Sequence, residues 1–206
     1  MSIETTRLIT GMTQGKTNSI VTDRRALLRG AGTLGLSAAA VAVLGGCESM
    51  AASKTATAAD VDILNVALGL EHEAINAYQL GAESGLLQDP VLQVAVLFQS
   101  HHKGHRDALV ATIQKLGGKP VAEKSMNDYA AALNAGSLKS QADVLMLAAR
   151  LEKGAANAYL GVIPSFNDKG LAQVAGRLAA DETMHWTALA SALGESLPGK
   201  PLTFGA

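Results

Sequence analysis

The chain has 206 residues, 48% of them hydrophobic and 3% aromatic, with a formal net charge of −1 at pH 7. Its first 46 residues carry five Lys/Arg against two Asp/Glu, and the remainder carries 12 against 16, a net of −4. A body of that charge with so few aromatic rings has neither the basic stripe nor the stacking platforms that nucleic-acid binding needs. The single Cys excludes an internal disulfide and any iron–sulfur centre held by four thiolates.

Residues 1–46 read as an export leader. Thr22-Asp23-Arg24-Arg25-Ala26-Leu27-Leu28-Arg29 precedes an apolar, Gly- and Ala-rich stretch from Gly30 to Val43. That stretch is shorter than the roughly 20 apolar residues of a spanning helix, and it suits the core of a signal peptide behind a basic region. The Arg24–Arg25 pair resembles a bacterial twin-arginine signal, which implies the twin-arginine export machinery as a partner and the periplasmic side of the cell envelope as the destination. Leu44-Gly45-Gly46-Cys47 resembles a lipobox, which would acylate Cys47 and tether the protein to the membrane. A signal-peptidase cut after Ser49-Met50-Ala51 would instead leave it soluble. The segment 47–59 is mostly Ala, Ser and Thr and reads as a flexible tether, leaving 60–206 for one domain.

From Asp60 the apolar period is helical: Val61, Leu64, Leu68, Ile75 and Tyr78 recur at three- and four-residue steps up to Gly81–Gly85. Asp89-Pro90 reads as a second start, with Asp89 the N-cap. Val91, Val94, Phe98, Leu109, Ile113 and Leu116 then share a face, ended by Gly117-Gly118 and Pro120. A third helix is predicted from Ser140, with Asp143 in a capping-box-like position, through Val144, Leu147, Leu151 and Tyr159. A fourth is predicted from Asn167 or Asp168 to Gly194, through Leu171, Val174, Leu178 and Leu189. The link from Gly118 to Lys139 is too long for a tight turn, and a short helical piece is predicted near Tyr129–Leu133.

The first helix pair repeats as the second. Leu70, Glu71, Ala74, Asn76, Ala77 and Tyr78 recur 81 residues later as Leu151, Glu152, Ala155, Asn157, Ala158 and Tyr159. Gln93, Val94, Ala95, His105, Ala108 and Leu109 recur 80 later as Gln173, Val174, Ala175, His185, Ala188 and Leu189. Two helix pairs joined by one long connection predict an all-α four-helix bundle with a crossover between helices 2 and 3.

Ionisable groups fall on the apolar stripes: Glu71, His102, His105, Glu152, Glu182 and His185. Buried carboxylates must be paired, neutralised or metal-bound. No Lys or Arg falls on these stripes, so a divalent metal is the expected partner. The i, i+3 spacing of His102 with His105 and of Glu182 with His185 places each pair on one helix face.

Glu71, Glu152 and Asp181-Glu182-Thr183-Met184-His185, with His105, resemble the ligand set of the ferritin-like superfamily of di-iron and di-manganese carboxylate bundles. The chain is also similar to exported bacterial proteins that carry such a domain. The resemblance implies Glu71 and Glu152 as the single carboxylates, Glu182 and His185 as the intact Glu-x-x-His, and His105 as the second terminal imidazole. It departs at His102, which stands where a bridging Glu belongs, so that six ligands would be three carboxylates and three imidazoles. That set shifts preference toward iron, zinc or copper, and allows one metal ion or two unequal ones; iron, manganese and zinc are the ions considered. What the resemblance implies is metal binding, with or without turnover of dioxygen or peroxide. The alternative is a metal-free structural or stress-related envelope protein that keeps only the fold. A homodimer is compatible with either.

Around the six, Tyr78 and Tyr159 read chiefly as core aromatics, with hydroxyls able to reach ligand carboxylates. His101 and Asp181 sit one residue from ligands and are candidates for supporting them. His72 and Glu73 lie off the stripe and read as solvated, and Trp186 reads as packing at a helix edge.

Overall fold

A computed structural model describes residues 54–205. The leader, Cys47 and most of the expected tether lie outside the described residues. Five α-helices follow in order: α1 (Lys54–Glu83), α2 (Asp89–Lys115), α3 (Met126–Ala132), α4 (Gln141–Val162) and α5 (Lys169–Ala192). Single 3-10 turns stand at Ala135–Ser137 and Ile163–Ser165, and the described residues contain no strand. None of the described helices is long and apolar enough to cross a membrane.

Local chemistry accounts for most boundaries. α1 is already helical at Lys54, six residues ahead of Asp60. Thr-Ala-Thr-Ala-Ala offers no breaker, and Ala has the highest helix propensity. Gln88, not Asp89, is the N-cap of α2, so Asp89 sits inside the first turn, where its charge faces the helix N-terminus. Gly117 ends α2 at φ 80°, a conformation with no Cβ penalty for glycine, and the N–H of Gly118 closes back on the Ile113 carbonyl at 2.9 Å. The Ser140 hydroxyl caps α4 by accepting from the Asp143 N–H, and the Asp168 carboxylate caps α5 by accepting from the N–H groups of Gly170 and Leu171.

α1 packs along α2 and α4 along α5, with α1 against α4 and the crossover helix α3 against α1. This is the four-helix bundle with one long crossover, α2 to α4. Its interior has two apolar layers. One holds Leu64, Leu68, Leu109, Ile113, Tyr159 and Leu178. The other holds Tyr78, Phe98, Leu145, Ala149, Trp186 and Leu189. Tyr129 and Leu133 of the crossover pack against Ala77 and Leu147 and clamp it to the bundle. Residues between these layers along all four long helices are the polar ones.

Trp186 packs more deeply than a helix-edge position: it is buried in the layer of Tyr78, Phe98, Leu145 and Leu189, and Phe204 of the C-terminal segment also meets it edge to face at 5.1 Å between ring centroids. His72 is buried too. The crossover lies over this side of α1, where the Asn76 amide donates to Glu123 at 2.6 Å and to the His72 carbonyl at 2.8 Å. Burial lowers the His72 pKa and favours a neutral ring.

Candidate metal centre

Each long helix sends its ionisable residues into the layer between the two apolar ones. Glu71 and Glu152 come from α1 and α4, one per helix. His102 and His105 come from α2, and Glu182 and His185 from α5. Glu182 and His185 are fully enclosed, Glu71, His102 and Glu152 are at most 2% exposed, and only the His105 side chain, at 12%, reaches toward the surface.

All six meet. They form two groups of four in which one ligand atom per residue lies within 4.8 Å of every other. The first is Glu71, His102, His105 and Glu182; the second is His102, Glu152, Glu182 and His185. His102 and Glu182 belong to both. His102 directs Nδ1 at Glu71 Oε2, 2.8 Å away, and Nε2 at Glu152 Oε1, 3.1 Å away. Glu182 divides likewise, with Oε1 3.3 Å from His105 Nδ1 and Oε2 3.5 Å from His185 Nδ1.

A second ring of groups holds these ligands, and it works crosswise between the repeats. Tyr78 of α1 donates to Glu152 of α4, and Tyr159 of α4 donates to Glu71 of α1. The hydroxyls therefore reach the carboxylate of the other repeat, not the one seven residues earlier on their own helix. Burial, with the neighbouring carboxylate, pushes both phenols well above their usual range, so they stay protonated donors. His105 Nε2 faces Asp181 Oδ2 at 3.3 Å, and His185 Nε2 faces His101 Nδ1 at 2.9 Å. An Nε2–H placed outward in both cases would free each Nδ1 to act toward the interior when the ring is neutral, as metal-binding histidines commonly do.

The cluster also compensates its own charge. Burial alone would neutralise its members, but the contacts win. Burial raises Glu71, and the hydrogen bond with His102 together with the nearby His105 imidazole more than reverses this, holding it at about 2. Burial depresses His102, and the carboxylates of Glu152 and Glu71 carry it to about 10; His105, against Glu182 and Glu71, also reaches about 10. His185 is raised for the same reason, and Glu152 is held low by His102 and His185. Glu182 is raised, burial prevailing over its imidazole neighbours. The expectation of no internal cation therefore needs correction: protonated imidazoles supply one. Lys and Arg need not fall on the stripes when His is both ligand and counter-ion.

Compensation is incomplete. Among the described residues, three buried side-chain atoms have no hydrogen-bond partner: His105 Nδ1 and both oxygens of Glu182. His105 Nδ1 and Glu182 Oε1 are 3.3 Å apart without forming a hydrogen bond, and buried polar atoms seldom stay so. Three carboxylates and three imidazoles are suitable ligands for first-row divalent ions, and the orphaned atoms are ones a cation would satisfy. The residues present fit a metal.

Two cavities approach the centre. A cleft of about 440 Å³ between α2 and α5 reaches His105 past His101, Gly104, Arg177 and Asp181. An apolar cavity of about 340 Å³ reaches His102 and Glu152 from the other side, and its walls include Ala74, Ala95, Ala148 and Ala188. These small side chains leave the room.

The family profile for ferritin-like domains matches residues 59–195. The chain belongs to the ferritin-like domain family. Among solved structures, this ferritin-like chain is similar to a conserved hypothetical protein, rv2844, from Mycobacterium tuberculosis. The two share 21% identity at a TM-score of 0.57, over 66% of this chain and 98% of that one. At that identity the likeness concerns the fold. A comparison with curated proteins finds no match.

The six sequence-predicted ligands of this ferritin-like domain thus converge. The sequence reading left Asp181 and His101 without partners, and periodicity gave no means of finding them. Their one clue was position: they are equivalent in the repeat, one residue before Glu182 and His102.

Proposed function

We propose that this is an exported ferritin-like protein that binds one or two divalent metal ions, iron or manganese foremost, and acts on dioxygen or peroxide. The observation that carries the metal reading is the pair of four-residue groups sharing His102 and Glu182, whose His105 and Glu182 keep three buried atoms without a hydrogen bond. Bound iron or manganese would supply electrons to the oxidant and an open coordination position. The chain's own residues have the supporting roles. Tyr78 and Tyr159 hold Glu152 and Glu71 in place, Asp181 and His101 set the tautomers of His105 and His185, and the apolar layers exclude water on both sides. The cleft beside His105 is the route by which a small solute would reach the centre. The twin-arginine-like pair Arg24–Arg25 supports export, and Cys47 supports a lipid anchor on the periplasmic face.

A second reading is favoured by a specific observation. His102 and His105 as imidazolium ions already balance Glu71 and Glu152, so the bundle can stand without metal as a structural envelope protein. The deciding experiment loads the purified protein anaerobically with Fe(II), Mn(II) or Zn(II), counts ions per chain, and then assays ferrous oxidation and peroxide loss. One or two ions with turnover supports the first reading. Metal without turnover leaves a binding protein, and no metal leaves the structural one.

A further inference from the structure

The members shared by the two groups are one from each repeat, and they differ in kind: Glu182 on α5 and His102 on α2. A carboxylate in this position divides its two oxygens between two ions. His102 divides its two ring nitrogens in the same way. Nδ1 faces the half holding Glu71 and His105, Nε2 faces the half holding Glu152 and His185, and the ring is 1% exposed, so neither nitrogen turns to water. A terminal ligand needs only one nitrogen and ordinarily donates the other N–H to an acceptor outside the centre, as His105 does to Asp181 and His185 to His101. His102 has no such outward contact: both of its nitrogens meet ligand carboxylates of opposite halves.

We propose that His102 bridges two metal ions as an imidazolate, Nδ1 to the ion held by Glu71 and His105 and Nε2 to the ion held by Glu152 and His185. This rests on the metal-binding reading above. In the metal-free cluster both ring nitrogens meet carboxylates as N–H groups, so the first ion displaces one of these protons to solvent and leaves one N–H on the ring. Binding the second ion therefore breaks the remaining N–H bond: its electron pair becomes the second nitrogen's donor pair, and the proton leaves to solvent. A metal ion drives such a deprotonation as it does that of a coordinating thiol. The ring's two lone pairs diverge, whereas those on the inner side of a carboxylate run nearly side by side. His102 therefore holds the ions further apart than the roughly 3.5–4 Å of compact two-metal sites. Glu182, with its oxygens divided between His105 and His185, is the second link.

Cu(II) is the probe, because it favours imidazole nitrogen and two bridged copper ions couple magnetically. The purified full-length protein is titrated with Cu(II) while bound copper, released protons and the electron paramagnetic resonance signal are followed. The expected result is two ions per chain, with the signal rising with the first and falling with the second as a proton is released. In His102→Gln the two ions, still linked by Glu182, should lose most of that coupling. No copper bound would sink the metal reading and the bridge together. One ion per chain at saturation, two uncoupled ions, or coupling undiminished in His102→Gln would overturn the bridge and leave the metal reading standing. If His102→Gln does not fold, X-ray absorption on the two-copper wild type decides. A copper–copper separation clearly beyond about 4 Å supports the bridge, and a shorter one overturns it.

Discussion

The two halves of the bundle have one backbone plan and two chemistries. Glu71 matches Glu152, Tyr78 matches Tyr159 and His105 matches His185, and each pair takes up equivalent contacts: the tyrosines cross to the other repeat's Glu, and each His faces the Glu of its own repeat. At two adjacent positions the halves differ. His101 stands opposite Asp181, and His102 opposite Glu182. The consequence is an anionic group behind His105 but an imidazole behind His185, and one carboxylate link beside one imidazole link. A duplicated fold therefore does not yield two equal halves of the cluster. The half containing Glu71 and His105 has a carboxylate as its outer support and a cleft lined by polar residues, while the half containing Glu152 and His185 has an imidazole support and an apolar cavity at Glu152.

Several changes would break or sharpen this contrast. The largest effect is expected from Glu182→Gln, which removes the carboxylate that serves both halves. Bound metal should fall by well over the roughly 10–100-fold typical of losing a supporting residue, measured by equilibrium dialysis. The reverse change, Gln99→Glu, at a buried position outside the centre should leave the number of ions per chain unaltered. Equal losses in the two variants would mean that the ligand assignment is wrong.

Next comes pH, on which metal-free and metal-loaded protein should differ in sign. The imidazoles of His102 and His105 are raised from 6.5 to about 10 in the fold. Their contribution to stability is complete below about 6.5, the unfolded value, and is lost as pH climbs toward 10. Glu71, lowered from 4.5 to about 2, contributes above 4.5 and loses its effect as pH falls toward 2. The metal-free Tm should therefore be highest near pH 4.5–6.5 and decline on both sides. Metal must displace the imidazole protons, so its stabilising shift should grow over the alkaline range where the apo form weakens. Thermal melts with and without Zn(II) from pH 4 to 10 read this directly, and parallel curves would contradict it.

Asp181→Asn and His101→Gln test the outer supports. Each should weaken metal binding by about 10–100-fold, with the larger loss at Asp181, because a carboxylate raises the basicity of its imidazole more than a second imidazole does. Competitive chelation would show the order, and equal effects would mean that the halves are supported alike. Last come the phenols, which test the stability of the metal-free fold and not metal binding. Tyr78→Phe and Tyr159→Phe each remove one hydrogen bond to a charged carboxylate, worth about 1.5–3 kcal/mol, and denaturant melts of the metal-free protein should register similar losses for both.

Much of this was legible beforehand, and the residues show why. Ser140, Asp168 and Gly117 mark helix ends through local hydrogen bonds and backbone angles, which neighbouring residues suffice to define. The six converging residues could be singled out because a period of 3.6 assigns each to a buried stripe, and the repeat checks each against its counterpart. His72 misled because the stripe describes α1 alone, while the cover over that residue comes from the crossover near Glu123. Trp186, read as packing at a helix edge, is also covered by Phe204, which lies 18 residues further along the chain in a segment without periodicity.

The amino-acid order by itself determined an all-α bundle of two similar helix pairs, and the acids and imidazoles that would face its interior, because helical spacing is a local property. Only the tertiary structure decided who meets whom. That Tyr78 serves Glu152, that Asp181 and His101 stand behind the other repeat's histidines, and that His102 turns a nitrogen to each half all depend on the crossing of separate helices. The balance of charge was likewise undecided until then, since whether a buried histidine is a cation or a ligand depends on which carboxylates packing brings within about 3 Å.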